Sequence, residues 1–388
     1  MNQQPQPAST RPVFLDGVRI LAFGWLVLYH VGMYYVTWPW HIKSPHASHW
    51  LEPWMRLSSP WRMDLLFLVS GVATSMMLLR DGASTALLRR RAARQFWPLL
   101  FGVLVVVPLQ SWREVVFRYG YQGSFADFLP LYLGGFGGFC AARGACLILP
   151  TWNHLWFLPY LLSYTLLLLW LLLRRWPGLL DGAAAWLSRR LNVLTLLLVP
   201  VAWLACARWF LQSRFPQTHA LVDDWFSHSH FFAAFAAGAL LARVCNVWSR
   251  FAGWRWPALA AALAAWLLLV GAAPVWGVLL SLPMEVARLL LAVQQWLAIV
   301  AVLGFASLHM RADGPARRYL TEAVFPVYIL HQTLIIVFAW QLSAYDLPPV
   351  SEALLLVLLT LGLSFAVFEF GRRSRMLRPL FGLQGAAA

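Results

Sequence analysis

Residues 159–173 read PYLLSYTLLLLWLLL and contain no charged side chain. About 20 predominantly apolar residues in helical conformation are needed to cross the hydrocarbon core of a bilayer. With the apolar and aromatic residues before it, this stretch extends over 153–173 and reaches that length. It therefore predicts a membrane-spanning helix.

The composition of the whole chain also indicates a membrane protein. The 388 residues are 61% hydrophobic and 12% charged, and the mean hydropathy is +0.65. Soluble domains carry about 25% charged residues. Similar apolar blocks lie at roughly 13–37, 62–79, 96–112, 153–173, 191–211, 229–243, 256–276, 284–308, 319–341 and 350–370. The sequence therefore predicts an all-α integral membrane protein with about ten transmembrane helices.

The basic residues predict the orientation of these helices. The formal net charge is +15, and the arginines cluster in every second loop, whereas most histidines lie in the opposite loops. Because basic loops stay on the cytoplasmic side, we expect both termini in the cytoplasm. The membrane lipid explains this charge, and no nucleic acid is expected as a partner.

The same pattern predicts the domain organisation. The N-terminal MNQQPQPASTRP lacks a basic start and a small-residue cleavage site, so the first helix is expected to be retained. Residues 1–12 are then a short cytoplasmic tail, 13–371 a single transmembrane domain, and 372–388 a basic cytoplasmic tail.

The first helix carries two ionisable residues in RILAFGWLVLYH, from Arg19 to His30. Each costs about 2.5–3.5 kcal/mol to insert, so each is a candidate site residue. The spacing corresponds to about 16 Å of helical rise and places both on one face, with the cation inside and the imidazole outside. Two structural alternatives remain open: an Arg19–Asp16 pair, and a His30 that only hydrogen-bonds within the bundle.

The second helix begins with WRMDLLFLVSG, which places Asp64 at about the depth of His30. A pair between these two side chains would fix the imidazole tautomer and raise its basicity. The alternative is an interfacial aspartate that contacts Arg62 or water.

A dense basic patch stands where the third helix begins, in LLRRRAARQFWPLL. Its members are Arg89, Arg90, Arg91 and Arg94. Such a patch can simply set the topology, or it can bind phosphates, which arginine holds with two parallel hydrogen bonds.

Further polar residues lie in the fourth and ninth helices. Asn153 and His154 stand at the outer interface, and Tyr328 and His331 share a face because they are three residues apart. The remaining motifs predict no metal: His228-x-His230 lacks a third ligand. In one outer loop, the cysteines at 140 and 146 either form a disulfide or stay unpaired.

Taken together, these segments resemble the membrane acyltransferase-3 family. The similar segments are FLDGVRILAFGWLVLYH (14–30), RMDLLFLVSG (62–71), LLRRRAAR (87–94), HLWFLPYL (154–161) and VFPVYILHQ (324–332). WHIKS (40–44), which contains His41, further resembles a subgroup that acts on periplasmic glucans. The Asp64–His30 pair is inferred from this chain alone, because that position is not reliably acidic in such proteins.

The resemblance implies a multi-pass protein of the bacterial inner membrane with ten spanning helices. It implies a cytoplasmic acyl-CoA donor, either succinyl-CoA or acetyl-CoA, a periplasmic glucan or other carbohydrate acceptor, and His30 as the essential histidine. Ester formation from a thioester needs a base, a donor-binding site and an oxyanion donor.

The predicted site follows from these needs. The catalytic candidates are His30, Asp64, Tyr328 and His331; the donor-binding candidates are Arg19, Arg90, Arg91 and Arg94; the acceptor-binding candidates are His41, Asn153 and His154. Tyr328, His331 or Asn153 would stabilise the oxyanion or orient the sugar. Two alternatives remain: a transporter of polysaccharide or lipid-linked sugar without chemistry, and an O-acetyltransferase for another envelope glycan. The sequence predicts no oligomeric state.

Overall fold

The computed structural model describes residues 12–140, 146–272 and 282–383. Within these ranges the regular secondary structure is helical. The α-helices are α1 (Val13–Tyr35), α2 (Glu52–Ser58), α3 (Arg62–Asp81), α4 (Thr85–Phe101), α5 (Val107–Tyr119), α6 (Phe125–Leu133), α7 (Phe157–Arg174), α8 (Leu179–Arg190), α9 (Val193–Phe210), α10 (Trp225–Leu241), α11 (Val247–Gly271), α12 (Met284–His309), α13 (Pro315–Leu342) and α14 (Pro349–Arg373).

Nine helical segments of the described ranges are long and apolar enough to cross a membrane. This confirms the prediction of an all-α, multi-pass membrane protein. The predicted block at 229–243 corresponds to α10, which has 17 residues. At 1.5 Å per residue α10 spans about 26 Å, somewhat less than the hydrocarbon core. The orientation of the termini stays a prediction.

The third span is longer than its apolar block predicted. Instead of 96–112 it runs from Thr85 to Tyr119, with a π-helical segment, Gly102–Val106, between α4 and α5. Alanine, leucine and arginine are strong helix formers, so the basic patch continues the helix beyond the apolar residues. The arginines at 89–94 therefore lie on the first turns of α4.

The chain forms two compact units, which we call unit 1 and unit 2. Of the described residues, unit 1 contains those up to Ala22, then 53–92 and 160–317. Unit 2 contains 23–52, 93–159 and the residues from Arg318 onwards. Each unit draws on segments that are far apart in the sequence.

In unit 1 two glycines let α3 and α10 approach each other at backbone distance. A Cβ added at Gly71 would overlap the carbonyl oxygen of Phe235, and one at Gly238 would overlap that of Leu68. Small residues allow such crossings in membranes, where dispersion between closely packed helices replaces the hydrophobic effect. The rings of Phe67 and Phe231 lie 4.7 Å apart in the same pair of helices.

In unit 2 the C-terminal half of α1 packs with α13 and α14. Tyr34, Ile335 and Leu356 are part of this buried cluster. Glu352 is also buried, and its carboxylate accepts a hydrogen bond of 2.8 Å from the hydroxyl of Tyr35. A disulfide joins the cysteines at 140 and 146 in the segment between α6 and α7, which settles the alternative that the sequence left open.

The segment between α9 and α10 in unit 1 is held by side chains. His219 and two nearby residues have positive φ angles. The carboxylate of Asp224 accepts hydrogen bonds from the backbone N–H of His219, at 3.0 Å, and from the hydroxyl of Tyr160. The Tyr160 oxygen in turn accepts the N–H of Leu221 at 3.0 Å.

Changing Gly238 to alanine is expected to lower the stability and the membrane level of the protein, because the added Cβ meets the backbone of α3. Gly253→Ala is the matched control, since no atom lies within 4 Å of its added Cβ. Thermal unfolding of the two detergent-purified variants measures the difference. Equal stability of both variants would show that α3 and α10 do not depend on this close approach.

Acidification is expected to loosen the segment at 219–224. Burial lowers the pKa of His219 to about 4, whereas an unperturbed histidine titrates near pH ~6.5. The opened segment therefore binds a proton first, so its closed form is fully stable above pH ~6.5 and loses stability as the pH falls towards 4. Hydrogen exchange of residues 219–224, corrected for the intrinsic effect of pH, measures this opening.

His219→Asn should abolish the acid response, because asparagine tolerates the positive φ but does not titrate. His46→Asn, on an exposed loop histidine, should keep the wild-type response. An acid response that survives in His219→Asn would assign the opening to another group.

Candidate functional site

A chain of three groups in unit 2 orients the histidine of the first helix. Nδ1 of His30 lies 2.8 Å from Nε2 of His331, and the two rings are stacked with centroids 5.0 Å apart. Nδ1 of His331 lies 2.7 Å from the backbone carbonyl oxygen of Tyr328. His331 is fully buried, whereas His30 is partly exposed.

This geometry determines which nitrogen of each neutral ring carries the hydrogen. A carbonyl oxygen only accepts, so Nδ1 of His331 must donate to Tyr328. A neutral imidazole has one ring hydrogen, so Nε2 of His331 is an acceptor and Nδ1 of His30 donates to it. The lone pair of His30 therefore lies on Nε2, the form that a general base requires.

Tyr328 fixes the neighbouring segment instead of offering its hydroxyl to a ligand. Its side chain is buried, and the hydroxyl donates a hydrogen bond of 2.8 Å to the backbone carbonyl of His154. The single hydrogen of the hydroxyl is thus engaged within the protein, and the role of Tyr328 in stabilising an oxyanion stays a prediction. The predicted face with His331 is present, with ring centroids 5.9 Å apart.

The ring of His154 has one buried lone pair and lies next to His331. Its Nε2 donates to the carbonyl of Ile329 at 3.0 Å, so Nδ1 is the unprotonated nitrogen of the neutral ring. The side chain is 6% exposed, and Nδ1 is buried without a hydrogen-bond partner among the described residues. The ring meets that of His331 edge to face at 5.2 Å. His154 thus presents an acceptor next to His331.

The π-helical segment positions the turn that carries Asn153 and His154. The hydroxyl of Tyr132 lies 2.9 Å from the carbonyls of both Val103 and Thr151, which ties that segment to the chain before Asn153. Asn153 has a φ of 41°, a conformation that asparagine tolerates, and its amide donates to Ser111 at 3.3 Å. π-helical segments are often found at functional sites.

His41 belongs to a separate ionic cluster of unit 2. Its Nδ1 lies 2.5 Å from a carboxylate oxygen of the buried Glu114, whose other oxygen accepts from Arg118 at 2.8 Å. The amide of Gln332, the residue after His331, donates to Nε2 of His41 at 2.9 Å. Both ring nitrogens are thus engaged, so the acceptor-binding assignment of His41 stays a prediction.

Asp64 bonds a different histidine from the one that the sequence suggested. One carboxylate oxygen lies 2.8 Å from Nδ1 of His230, and the other accepts from the amide of Gln295 at 2.9 Å. These side chains lie on α3, α10 and α12 of unit 1. The support of His30 comes instead from His331, so we correct the predicted role of Asp64.

The donor-binding candidates are distributed over both units. In unit 1, Arg91 donates to the hydroxyl of Thr74 at 2.8 Å, and the exposed Arg90 lies 3.7 Å from Asp81. In unit 2, Arg94 donates to the carbonyl of Gly382 at 3.0 Å.

Arg19 lies on the part of α1 that belongs to unit 1 and is partly buried. Asp16, which the sequence offered as its alternative partner, forms an ion pair of 2.6 Å with Arg317. That pair gives Asp16 a cation on the N-terminal part of α13.

Sequence reasoning assigned no role to several buried ionisable residues, among them Glu114, Arg208 and Glu352, and it considered His230 only as a metal ligand. Glu114 and Glu352 stand close to the predicted ends of apolar blocks. At such a position the sequence does not distinguish a buried carboxylate from an exposed one. His230 stood inside the block at 229–243, and the rule that makes intramembrane ionisable groups site candidates would have selected it.

Comparison with known proteins identifies the family. The model of the acyltransferase-3 family, described as an acyltransferase domain, matches residues 13–369. This protein belongs to the acyltransferase-3 family. The resemblance that the motifs indicated is thereby confirmed.

Individual relatives are more distant. Glucans biosynthesis protein C of Escherichia coli strain K12 is 27% identical over 179 residues. The same holds for the protein of that name from Escherichia coli O1:K1 / APEC. Each match covers 44% of this chain and 41% of the relative, so less than half of either protein is aligned. No solved structure matches the chain.

Proposed function

We propose that this acyltransferase moves an acyl group from cytoplasmic acyl-CoA to hydroxyls of a periplasmic carbohydrate, with Nε2 of His30 as general base. The observation that carries the proposal is the hydrogen-bonded chain from His30 through His331 to the carbonyl of Tyr328. The proposal places the protein in the inner membrane, where a cytoplasmic donor and a periplasmic acceptor are both within reach.

The proposed reaction needs one base and no covalent acyl-enzyme. As the acceptor oxygen attacks the thioester carbonyl, Nε2 of His30 takes the hydroxyl proton and a C–O bond forms. The C–S bond then breaks, and the thiolate of CoA leaves with the proton from Nε2. The products are an ester and CoA thiol, and the base is restored. His331 keeps the ring of His30 in one orientation throughout, and it stabilises the imidazolium through the Nδ1 hydrogen.

The donor is proposed to bind through arginine side chains. Arg91 is the best supported, because the buried hydroxyl of Thr74 holds its guanidinium and reduces the entropy lost on binding a phosphate. Arg19, Arg90 and Arg94 complete the proposed set. Each guanidinium carries five N–H donors in a planar fork that matches the oxygens of a phosphate.

The acceptor is proposed to be a glucan. The relatives that match part of the chain are named for glucan biosynthesis, and the lone pair of His154 can accept a sugar hydroxyl. Asn153 and His41 are the other proposed contacts. Membership in an acyltransferase family favours chemistry over transport alone. Succinyl is the proposed acyl group; an acetyl group on the glucan, or on another envelope glycan, would support the alternative enzyme.

His30→Ala should lower acyl transfer about 10²–10⁴-fold, the usual contribution of a general base. The assay is the transfer of labelled succinyl or acetyl from CoA to a glucan by purified protein, with the product identified by mass spectrometry. His46→Ala removes an exposed histidine and should leave the rate unchanged. Near-normal turnover of His30→Ala would refute His30 as the base.

Variants of His331 test whether it acts by orienting His30. In His331→Gln the amide oxygen can replace Nε2 as acceptor, whereas His331→Leu fills the space but accepts no hydrogen bond. We expect His331→Gln to retain clearly more kcat than His331→Leu, with the donor affinity of both unchanged. Equal kcat values in two equally stable variants would contradict the orienting role.

Arg91→Gln should weaken CoA binding about 10–100-fold, the range expected for a lost hydrogen bond to a charged group. In Thr74→Val the arginine remains but its guanidinium loses the hydrogen bond to the hydroxyl of Thr74. CoA binding should therefore weaken less than in Arg91→Gln. Arg373→Gln removes an exposed arginine of the C-terminal end of α14 and should have no effect. Calorimetry with purified protein measures the Kd, and an unchanged value for Arg91→Gln would remove it from the donor site.

A further inference from the structure

A second buried polar centre lies in unit 1, where four helices meet. Its hydrogen bonds run from Arg208 on α9 to Gln295 on α12, at 2.5 Å, and from Gln295 to Asp64 on α3, at 2.9 Å. Asp64 accepts from Nδ1 of His230 on α10 at 2.8 Å. All four side chains are at most 7% exposed.

The close crossing of α3 and α10 brings the aspartate and the histidine together. Gly71 and Gly238 let these two backbones touch. Asp64 precedes Gly71 by about two turns, and His230 precedes Gly238 by about two turns. Asp64 and His230 therefore lie at about the same distance from the point where α3 and α10 cross. Their side chains form a hydrogen bond.

The centre is not fully satisfied by the protein. Asp64 only accepts, so the hydrogen of the neutral His230 ring is on Nδ1 and the lone pair is on Nε2. Within residues 12–140, 146–272 and 282–383, Nε2 of His230 and Nε of Arg208 are both buried without a hydrogen-bond partner. Oγ of Ser227, on the same face of α10 as His230, is also buried and unpartnered in these ranges.

Three polar atoms around this centre that have no partner among the described residues favour a binding site over a purely structural network. A buried polar atom without a hydrogen-bond partner destabilises a fold, so a cluster that served only to join helices is expected to pair such atoms. Three such atoms on two neighbouring helices indicate that another molecule completes the hydrogen bonds.

The chemistry of the three atoms selects a hydroxyl group. Nε2 of His230 needs a donor, Nε–H of Arg208 needs an acceptor, and Oγ of Ser227 can be either. A hydroxyl both donates and accepts, whereas a carboxylate cannot donate and an ammonium cannot accept. The charges of Arg208 and Asp64 also balance, so the centre favours a neutral ligand.

We propose that this centre is a second binding subsite for the carbohydrate acceptor and holds a primary hydroxyl of a hexose. The inference rests on the proposed function, which makes a carbohydrate the acceptor. Because His230 is only 5% exposed, a slender group is needed to reach Nε2. The exocyclic CH₂OH of a hexose is such a group, whereas the ring hydroxyls are attached directly to the bulky ring.

Two variants of His230 separate ligand binding from a structural role. In His230→Asn the amide nitrogen replaces Nδ1 and keeps the bond to Asp64, but nothing replaces Nε2. In His230→Gln the amide reaches the position of Nε2 and its oxygen accepts a hydroxyl, but the bond to Asp64 is lost. The subsite predicts that acceptor affinity falls more in the asparagine variant, while thermal stability falls more in the glutamine variant.

The probe is a linear oligosaccharide of glucose, added to full-length purified protein without acyl-CoA and followed by calorimetry. We expect His230→Asn to weaken binding about 3–10-fold, as for a lost neutral hydrogen bond. Oγ of Ser227 forms no hydrogen bond with the described residues, so Ser227→Ala should stay folded and weaken binding by a smaller factor. A linear oligosaccharide of xylose, which lacks the CH₂OH group, should bind both variants and the wild type equally.

Three results would overturn the inference. The first is an unchanged affinity for the glucose oligosaccharide in both His230→Asn and Ser227→Ala, which would leave only water in the centre. The second is a loss of affinity in proportion to the loss of stability in all variants. The third is an equal effect on the xylose probe. The binding experiment uses no acyl-CoA, so its result does not depend on catalysis. Absence of acyl transfer by the wild type would instead refute the proposed function.

Discussion

The proposed chemistry depends on the hydrogen bond from Nδ1 of His30 to Nε2 of His331. Either nitrogen of an isolated imidazole can carry the hydrogen. Here a backbone carbonyl, that of Tyr328, decides the tautomer of His331, and His331 decides that of His30. The carbonyl belongs to a buried part of α13, so the backbone of that helix sets the direction in which the base points. A carboxylate in the place of His331 would stabilise the imidazolium more strongly, but it would bring another charge into the bundle.

The same cost of buried charge shapes the other polar centres. Glu114 is paired with His41 and Arg118, Glu352 with Tyr35, and Asp64 with His230 and Gln295. In each case hydrogen-bond donors surround the carboxylate, as expected where water cannot solvate it. Nδ1 of His154 and Nε2 of His230 differ from these carboxylates, because each is buried without a hydrogen-bond partner among the described residues. For that reason we assign a ligand to each of them.

Sequence patterns predicted the parts of the structure that a single helix determines. The apolar blocks indicated the spans, and the three-residue spacing of Tyr328 and His331 indicated their common face. The pairing between helices was harder to predict. The sequence offered Asp64 either the histidine of the preceding helix or Arg62 and water as partners, but Gly71 and Gly238 bring α3 against α10, where His230 lies. A glycine in a helix indicates that another helix packs closely against its backbone, but it does not identify that other helix.

The tautomer of His30 tests the account most directly. Protein labelled with ¹⁵N in its histidines, in detergent, gives ring-nitrogen resonances whose one-bond coupling to hydrogen shows which nitrogen is protonated, and His30→Gln assigns the signals by difference. At a pH where the ring is neutral, we predict a coupled hydrogen on Nδ1 and none on Nε2. In His331→Leu the hydrogen should redistribute between the two nitrogens. A hydrogen on Nε2 of His30 in the wild-type protein would contradict the account, because the nitrogen proposed as the base would then have no lone pair to accept a proton.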